Sequence, residues 1–145
     1  MGQQQLLLVI LVTIIVGIAT VVAINVFGNS QEANNYDAAR IDMLQIAAGS
    51  QSYAIKPVAL GGGGQNLTNI SFLSIPWTPD SVNNTGLNAQ NLNAVYVISG
   101  RGVSEYILTA HPVSTVTGVP NLSSTSSNPI SIRVFRDGIE WIDTN

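Results

Sequence analysis

The chain has 145 residues, of which only 9% are charged and 46% are hydrophobic, and its formal net charge is -3. Five Lys and Arg (Arg40, Lys56, Arg101, Arg133, Arg136) supply no clustered positive footprint, which excludes a polyanion-binding surface and argues against a nucleic-acid partner. The absence of cysteine excludes a disulfide framework and thiolate metal sites, so the fold has to rest on its core and its packing partners.

Leu6–Phe27 is an unbroken apolar run without a formal charge, its polar members being Thr13, Thr20 and Asn25. A transmembrane helix needs roughly 20 predominantly apolar residues, and this run has that length. Leu6, Leu7, Leu8, Val9, Ile10, Leu11, Val12, Ile14, Ile15, Val16, Ile18, Val21, Val22, Ile24, Val26 and Phe27 place apolar surface all round the helix. That distribution suits contact with lipid or other helices on every side. A cleaved signal peptide fits less well, because the run exceeds the usual h-region and no Lys or Arg precedes it. The helix is therefore expected to be retained. Either the N-terminal amine is the whole topogenic signal or a basic leader precedes Met1. The first charges beyond the run are Glu32 and Asp37, and the C-terminal part is expected outside the cytoplasmic membrane. Removing the anchor (1-29) leaves roughly 115 residues, enough for one compact domain and too few for two.

From Ser30 the pattern becomes amphipathic, predicting a helical stalk over 30-56. Tyr36, Ala39, Met43, Ala47 and Tyr53 fall near one face, and Ile41, Leu44, Ala48 and Ile55 on an adjacent one. Two apolar stripes suit a helix that touches its own domain on one side and other helices on the other; a single broad core-facing stripe is the alternative. Gly17 and Gly28 are the candidate kinks, and Gly28-Asn29 reads as a stop followed by a new cap or as a softening of one rod. Lys56-Pro57 ends the helix near Ile55.

The remaining segment, 57-145, reads as a β-rich head. Gly61–Gly64 is expected to be a flexible linker; it lacks the strand, the Lys-Ser/Thr pair and the helix of a phosphate-binding loop. Strands are predicted over Ala94–Ser99, Val103–His111, Ile130–Phe135 and Ile139–Ile142, with Asp137-Gly138 as a hairpin turn, giving an antiparallel meander of about four strands. Leu67–Trp77 reads as an edge strand or ordered loop, and Asn83–Asn93 and Ser114–Pro129 read as loops. The expected class is α+β.

Little points to catalysis, and no cofactor or metal is expected. His111 is the sole histidine and reads as a surface or turn residue. Asp37 with Asp42, and Asp137 with Glu140 and Asp143, lack calcium-loop spacing and read as solvating a helix face and a hairpin. Trp77, Trp141, Tyr96, Tyr106 and Phe135 are assigned to core packing rather than to a ligand platform. Sequons at Asn66, Asn69, Asn83 and Asn121 are candidate N-glycosylation acceptors, and Ser123–Ser127 offers hydroxyls for O-linked sugar.

An apolar N-terminal helix, an amphipathic continuation and a C-terminal antiparallel sheet together resemble the type IV pilins and related archaeal and bacterial pilin-like proteins. The start, Met1-Gly2-Gln3-Gln4-Gln5-Leu6-Leu7-Leu8-Val9-Ile10, resembles the order of glycine, short polar and long apolar segments around a prepilin peptidase site. Tyr53-Ala54-Ile55-Lys56-Pro57 with Gly61–Gly64 is similar to the stalk end and glycine-rich loop of short-leader bacterial members. The resemblance implies a membrane-inserted precursor and an extracellular filament for attachment or motility. Its implied partners are further copies of the chain as a helical homopolymer, the inner-membrane pilus assembly machinery and a prepilin peptidase. Family members usually carry a glutamate near the start of the helix; Gln5 stands there, or Leu7 if cutting follows Gly2. Gln5 can still accept a hydrogen bond from a neighbouring amine, making Met1 and Gln5 the candidate N-terminal contact. The chain also lacks the mid-helix proline common in bacterial members. Met1 is expected in the mature chain. The alternative reading is a single-span anchored extracellular domain that binds as a monomer or assists secretion, as a pseudopilin does.

Overall fold

The computed structural model describes residues 2–113 and 121–142. The chain divides into two compact units, Met1–Ala33 and Asn34–Asn145. One helix, α1, runs over Gly2–Ile55 and is followed by six strands: β1 Ser81–Val82, β2 Asn88–Gln90, β3 Ala94–Ser99, β4 Glu105–Pro112, β5 Ile130–Phe135 and β6 Ile139–Ile142. The architecture is α+β. The expectations for Met1, for Asp143 and for 114–120 of the Ser114–Pro129 loop fall outside the described residues.

In the first unit α1 is helical although Val and Ile, which lose χ1 freedom in helices, dominate its sequence. Propensity is a weak preference, and in an apolar medium internal i to i−4 bonding would be what satisfies the backbone of such a segment. The polar side chains follow the same logic: Thr13 Oγ1 donates to the Ile10 carbonyl at 2.8 Å and Thr20 Oγ1 to the Val16 carbonyl at 2.7 Å. Gly17 and Gly28 both lie within unbroken helix, so neither interrupts it. Nor does a new helix start near Ser30, whose hydroxyl donates back to the Val26 carbonyl at 2.9 Å instead of capping.

In the second unit the helix packs on the sheet. Its buried residues are Ala39, Met43, Ile46, Ala47, Gly49, Ser50, Tyr53 and Ala54, one face at helical spacing. Gly49 permits a close approach, since a Cβ there would lie 3.3 Å from Pro76 Cδ. The sheet is a pure antiparallel meander in the order β1-β2-β3-β4-β5-β6. It therefore has six strands rather than four, and Asn83–Asn93 is not simply loop. The two extra strands are only two and three residues long, so alternation gives no sign of them; backbone pairing of β2 to β3 and of β1 to β2 makes them. Leu67–Trp77 is an ordered, turn-rich segment rather than a strand.

Register aligns the helix-facing residues in rows. Tyr96 pairs with Ala89 on one side and Ala110 on the other, so its large ring sits between two small residues. Ile98, Leu108 and Ile132 form the next row, and Tyr106 with Val134 the third. Trp77 meets Tyr96 edge-on at 5.2 Å and Phe72 at 5.6 Å, so the aromatic residues of this region pack the core. Ser50 Oγ, on the buried face of the helix, lies 2.5 Å from Tyr106 OH. Among the described residues no buried side-chain nitrogen or oxygen lacks a partner.

Three further expectations change. Gly61–Gly64 is a packed helix cap, not a flexible linker. The chain doubles back so that Gly63 N–H donates to the Tyr53 carbonyl at 2.8 Å and Gln65 N–H to the Ala54 carbonyl at 2.7 Å, satisfying the open helix end. A Cβ at Gly62 would stand 2.1 Å from the Lys56 carbonyl oxygen, and one at Gly63 2.1 Å from that of Asn66. His111 is a buried β4 residue rather than a surface one. Ser126 N–H donates to its Nδ1 at 3.1 Å, leaving the ring proton on Nε2, and burial holds its pKa below the ordinary value. Asp42 does not merely solvate the helix: its Oδ2 accepts from Asn91 Nδ2 at 2.7 Å, Asn93 Nδ2 at 3.0 Å and Tyr96 OH at 2.7 Å, which pins the helix to the β2–β3 turn.

Candidate functional site

The candidate site is the apolar surface of α1. In its first unit every large apolar side chain from Leu6 to Phe27 stands between 48% (Val12) and 74% (Phe27) exposed. The set comprises the residues expected as an assembly core: Leu6, Leu7, Leu8, Val9, Ile10, Leu11, Val12, Ile14, Ile15, Val16, Ile18, Val21, Val22, Ile24, Val26 and Phe27. The helix is long and apolar enough to cross a membrane by length and composition, which is consistent with membrane insertion. Water is a poor medium for such a surface, because monomeric soluble proteins rarely expose contiguous apolar patches beyond a few hundred Å². Gln5 lies on the exposed helix surface, and its amide has no partner among the described residues. Met1, the other half of the expected N-terminal contact, lies outside the described residues.

The second unit carries a further apolar stripe. Ile41 (57% exposed), Leu44 (43%), Ala48 and Ile55 (71%) sit away from the sheet while the opposite face of the same helix is buried. The two stripes expected from periodicity are thus both present, one filled by the sheet and one open. Of the sequons, Asn66, Asn69 and Asn121 are exposed. Asn83 is half-buried, and its Oδ1 accepts from the N–H groups of Leu87 at 3.0 Å and Asn88 at 3.1 Å, organising the β1–β2 turn.

The rest of the head offers concavities of about 150 Å³ beside Tyr36, Arg40 and Trp141 and about 410 Å³ beside Tyr53, Leu73 and Pro76. In the first, the Arg40 guanidinium lies 5.7 Å from the Tyr36 ring and 6.0 Å from the Trp141 ring. Trp141 pairs with Ile132, so it continues a core row to the sheet edge, where Arg40 covers it. The Arg133 guanidinium stands between Glu105 at 3.8 Å and Glu140 at 3.5 Å on the other sheet face. Among the described residues no three His, Cys, Asp or Glu side chains converge to hold a metal. Sequence reasoning missed the Asp42 anchor, whose only signal was a carboxylate one turn from the core stripe. No family model, curated protein or solved structure matches the chain.

Proposed function

We propose that the chain is a structural, non-enzymatic subunit of an extracellular type IV pilus-like filament, used in surface attachment or motility. The observation that carries this reading is the open stripe Ile41, Leu44, Ala48 and Ile55, present in addition to the exposed apolar run Leu6–Phe27. A monomeric anchor needs the membrane segment alone; a filament also needs an apolar face on the part of the helix that has left the bilayer.

Bundling is the mechanism. A helix apolar on every side is stable in lipid and equally stable among copies of itself. Transfer from membrane to filament core therefore keeps its surface away from water, at roughly 25 cal/mol per Å² of apolar area. Thr13 and Thr20, bonded to their own backbone, can make that transfer without stripping a hydroxyl. Contacts between unlike faces that do not close on themselves build an open helical polymer. The inner-membrane assembly machinery and a prepilin peptidase are the partners such a route requires, and the pilin-like fold belongs to the same proposal.

Shearing intact cells, imaging the released material by electron microscopy and identifying this chain in it by mass spectrometry tests the proposal. Thin filaments made mainly of the chain are expected. Recovery only from membranes, as dispersed protein, would replace the filament by the anchored monomer.

A further inference from the structure

The head carries opposite charges at its two ends. Register and side-chain bonds define those ends within the second unit. Asp42 bonds the β2–β3 turn through Asn91 and Asn93, and Asp80 N–H donates to the Gln90 carbonyl at 2.9 Å, placing Asp80 at that same near end. Asp37 is one helical turn before Arg40, at the level of Tyr36, whose hydroxyl donates to the Asn128 carbonyl. Among the described residues, near-end charge is thus Asp37, Asp42 and Asp80 against Arg40.

The far end lies where α1 stops. Lys56 follows the last helical residue, and Arg136 Nη1 reaches the Gln65 carbonyl at 3.3 Å, next to the glycine cap. Arg101 Nη1 donates to the Ile70 carbonyl at 3.2 Å, in the segment that follows the cap. Asp137 lies among these three cations, and Arg133 beside them bridges Glu105 and Glu140, so among the described residues this end carries four cations against three carboxylates. Helical rise separates Asp37 from Lys56 by about 29 Å. One end is therefore net acidic and the other net basic.

Each end also presents apolar side chains. Leu92 is 86% exposed, held between the two asparagines that bond Asp42. At the far end Val58 and Leu60 protrude from the 3-10 turn Val58–Leu60. An apolar centre inside a charged rim is the composition of a protein interface, and complementary signs fix which surfaces meet.

We propose that the heads of successive copies meet head to tail, the acidic Leu92 end of one copy against the basic Val58–Leu60 end of the next. A second copy is the occupant because a single chain carries both halves of the complementarity on opposite ends, and such a contact cannot close between two copies, so it propagates. Bundled helices would set the copies side by side; the charged ends would set their axial register. This inference rests on the filament reading.

The test uses the full chain in its native cell. One variant reverses the near end (Asp37→Lys with Asp80→Lys), a second reverses the far end (Lys56→Glu with Arg136→Glu), and a third carries all four changes. Sheared filament is quantified against total chain, and circular dichroism of detergent-solubilised protein checks that each head is folded. We expect each single-end variant, now bearing like charge at both ends, to lose about tenfold or more of its filament, and the four-fold swap to recover most of it. Unchanged yield in the folded single-end variants would overturn the proposal, as would failure of the swap to restore filaments when each of its parents is folded. If the unaltered chain yields no filaments, the filament reading itself falls, an outcome distinct from either.

Discussion

The two parts of α1 are one continuous secondary structure held by opposite means. Over Gly2–Ala33 no side chain is buried, and the helix is long and apolar enough to cross a membrane. Over Asn34–Ile55 eight residues are buried against the sheet, and helicity comes from tertiary packing. Helical hydrogen bonding is common to both, so it cannot be what separates their roles. What separates them is how much of the surface the chain itself covers: none of the first part, and for the second one face, by its own sheet, with Ile41, Leu44, Ala48 and Ile55 left open on another.

Mutations that distinguish the two parts should therefore have opposite signatures. The largest effect is expected from Ile14→Asp, which puts a carboxylate in the middle of the apolar run. A charged residue there costs about 2.5–3.5 kcal/mol on insertion scales. Fractionation should show the chain lost from membranes and no filament sheared from cells, while near-ultraviolet circular dichroism of the head, which reports Trp77 and Tyr96, stays native. A destabilised head would break the comparison.

Ile46→Ala should give the reverse. Ile46 is fully buried in the core cluster, and truncating such a side chain costs about 2–5 kcal/mol through lost burial and the cavity left behind. Thermal unfolding of the head should shift down markedly with membrane association unchanged. Asp42→Ala comes next, at about 1–3 kcal/mol, because three donors, the hydroxyl of buried Tyr96 among them, lose their shared acceptor. Asp42→Asn should recover part of that loss, since it keeps an oxygen for one donor. The same unfolding measurement checks both.

These sites also mark how far the sequence was legible. Strands β3, β5 and β6 and the end of α1 follow from local chemistry: alternation, the Asp137-Gly138 turn, and Pro57 restricting the residue before it. Strands β1 and β2 do not, because Asn88, Ala89 and Gln90 have low strand preference and become a strand only through pairing with Val95–Val97, and the two-residue β1 only through pairing with β2. Glycine 62 and glycine 63 look like a linker in one dimension, while the reason for glycine is contact with the Lys56 and Asn66 carbonyls. Asp42 and His111 are misread for a related cause: their partners lie 49 to 54 residues away for Asp42 and 15 away for His111, and composition carries no trace of them. The exposed apolar surface of α1 was the most legible part, since an apolar side chain at a periodic position needs no partner to be recognised.

The smallest effect on stability bears most on function. Leu44→Gln replaces an exposed apolar residue on the open stripe by a good helix former that keeps similar reach, so head unfolding should stay within about 0.5 kcal/mol of the unaltered protein. Membrane insertion should not change either, because Leu44 lies outside the apolar run. If the stripe is covered by neighbouring copies, sheared filament should nonetheless fall several-fold, since each subunit then buries an amide without a partner at the same repeated position. Retained filament yield together with unchanged stability would show that Leu44 faces solvent in the assembled state. The open stripe would then be a feature of the head alone, and assembly would have to be carried by Leu6–Phe27.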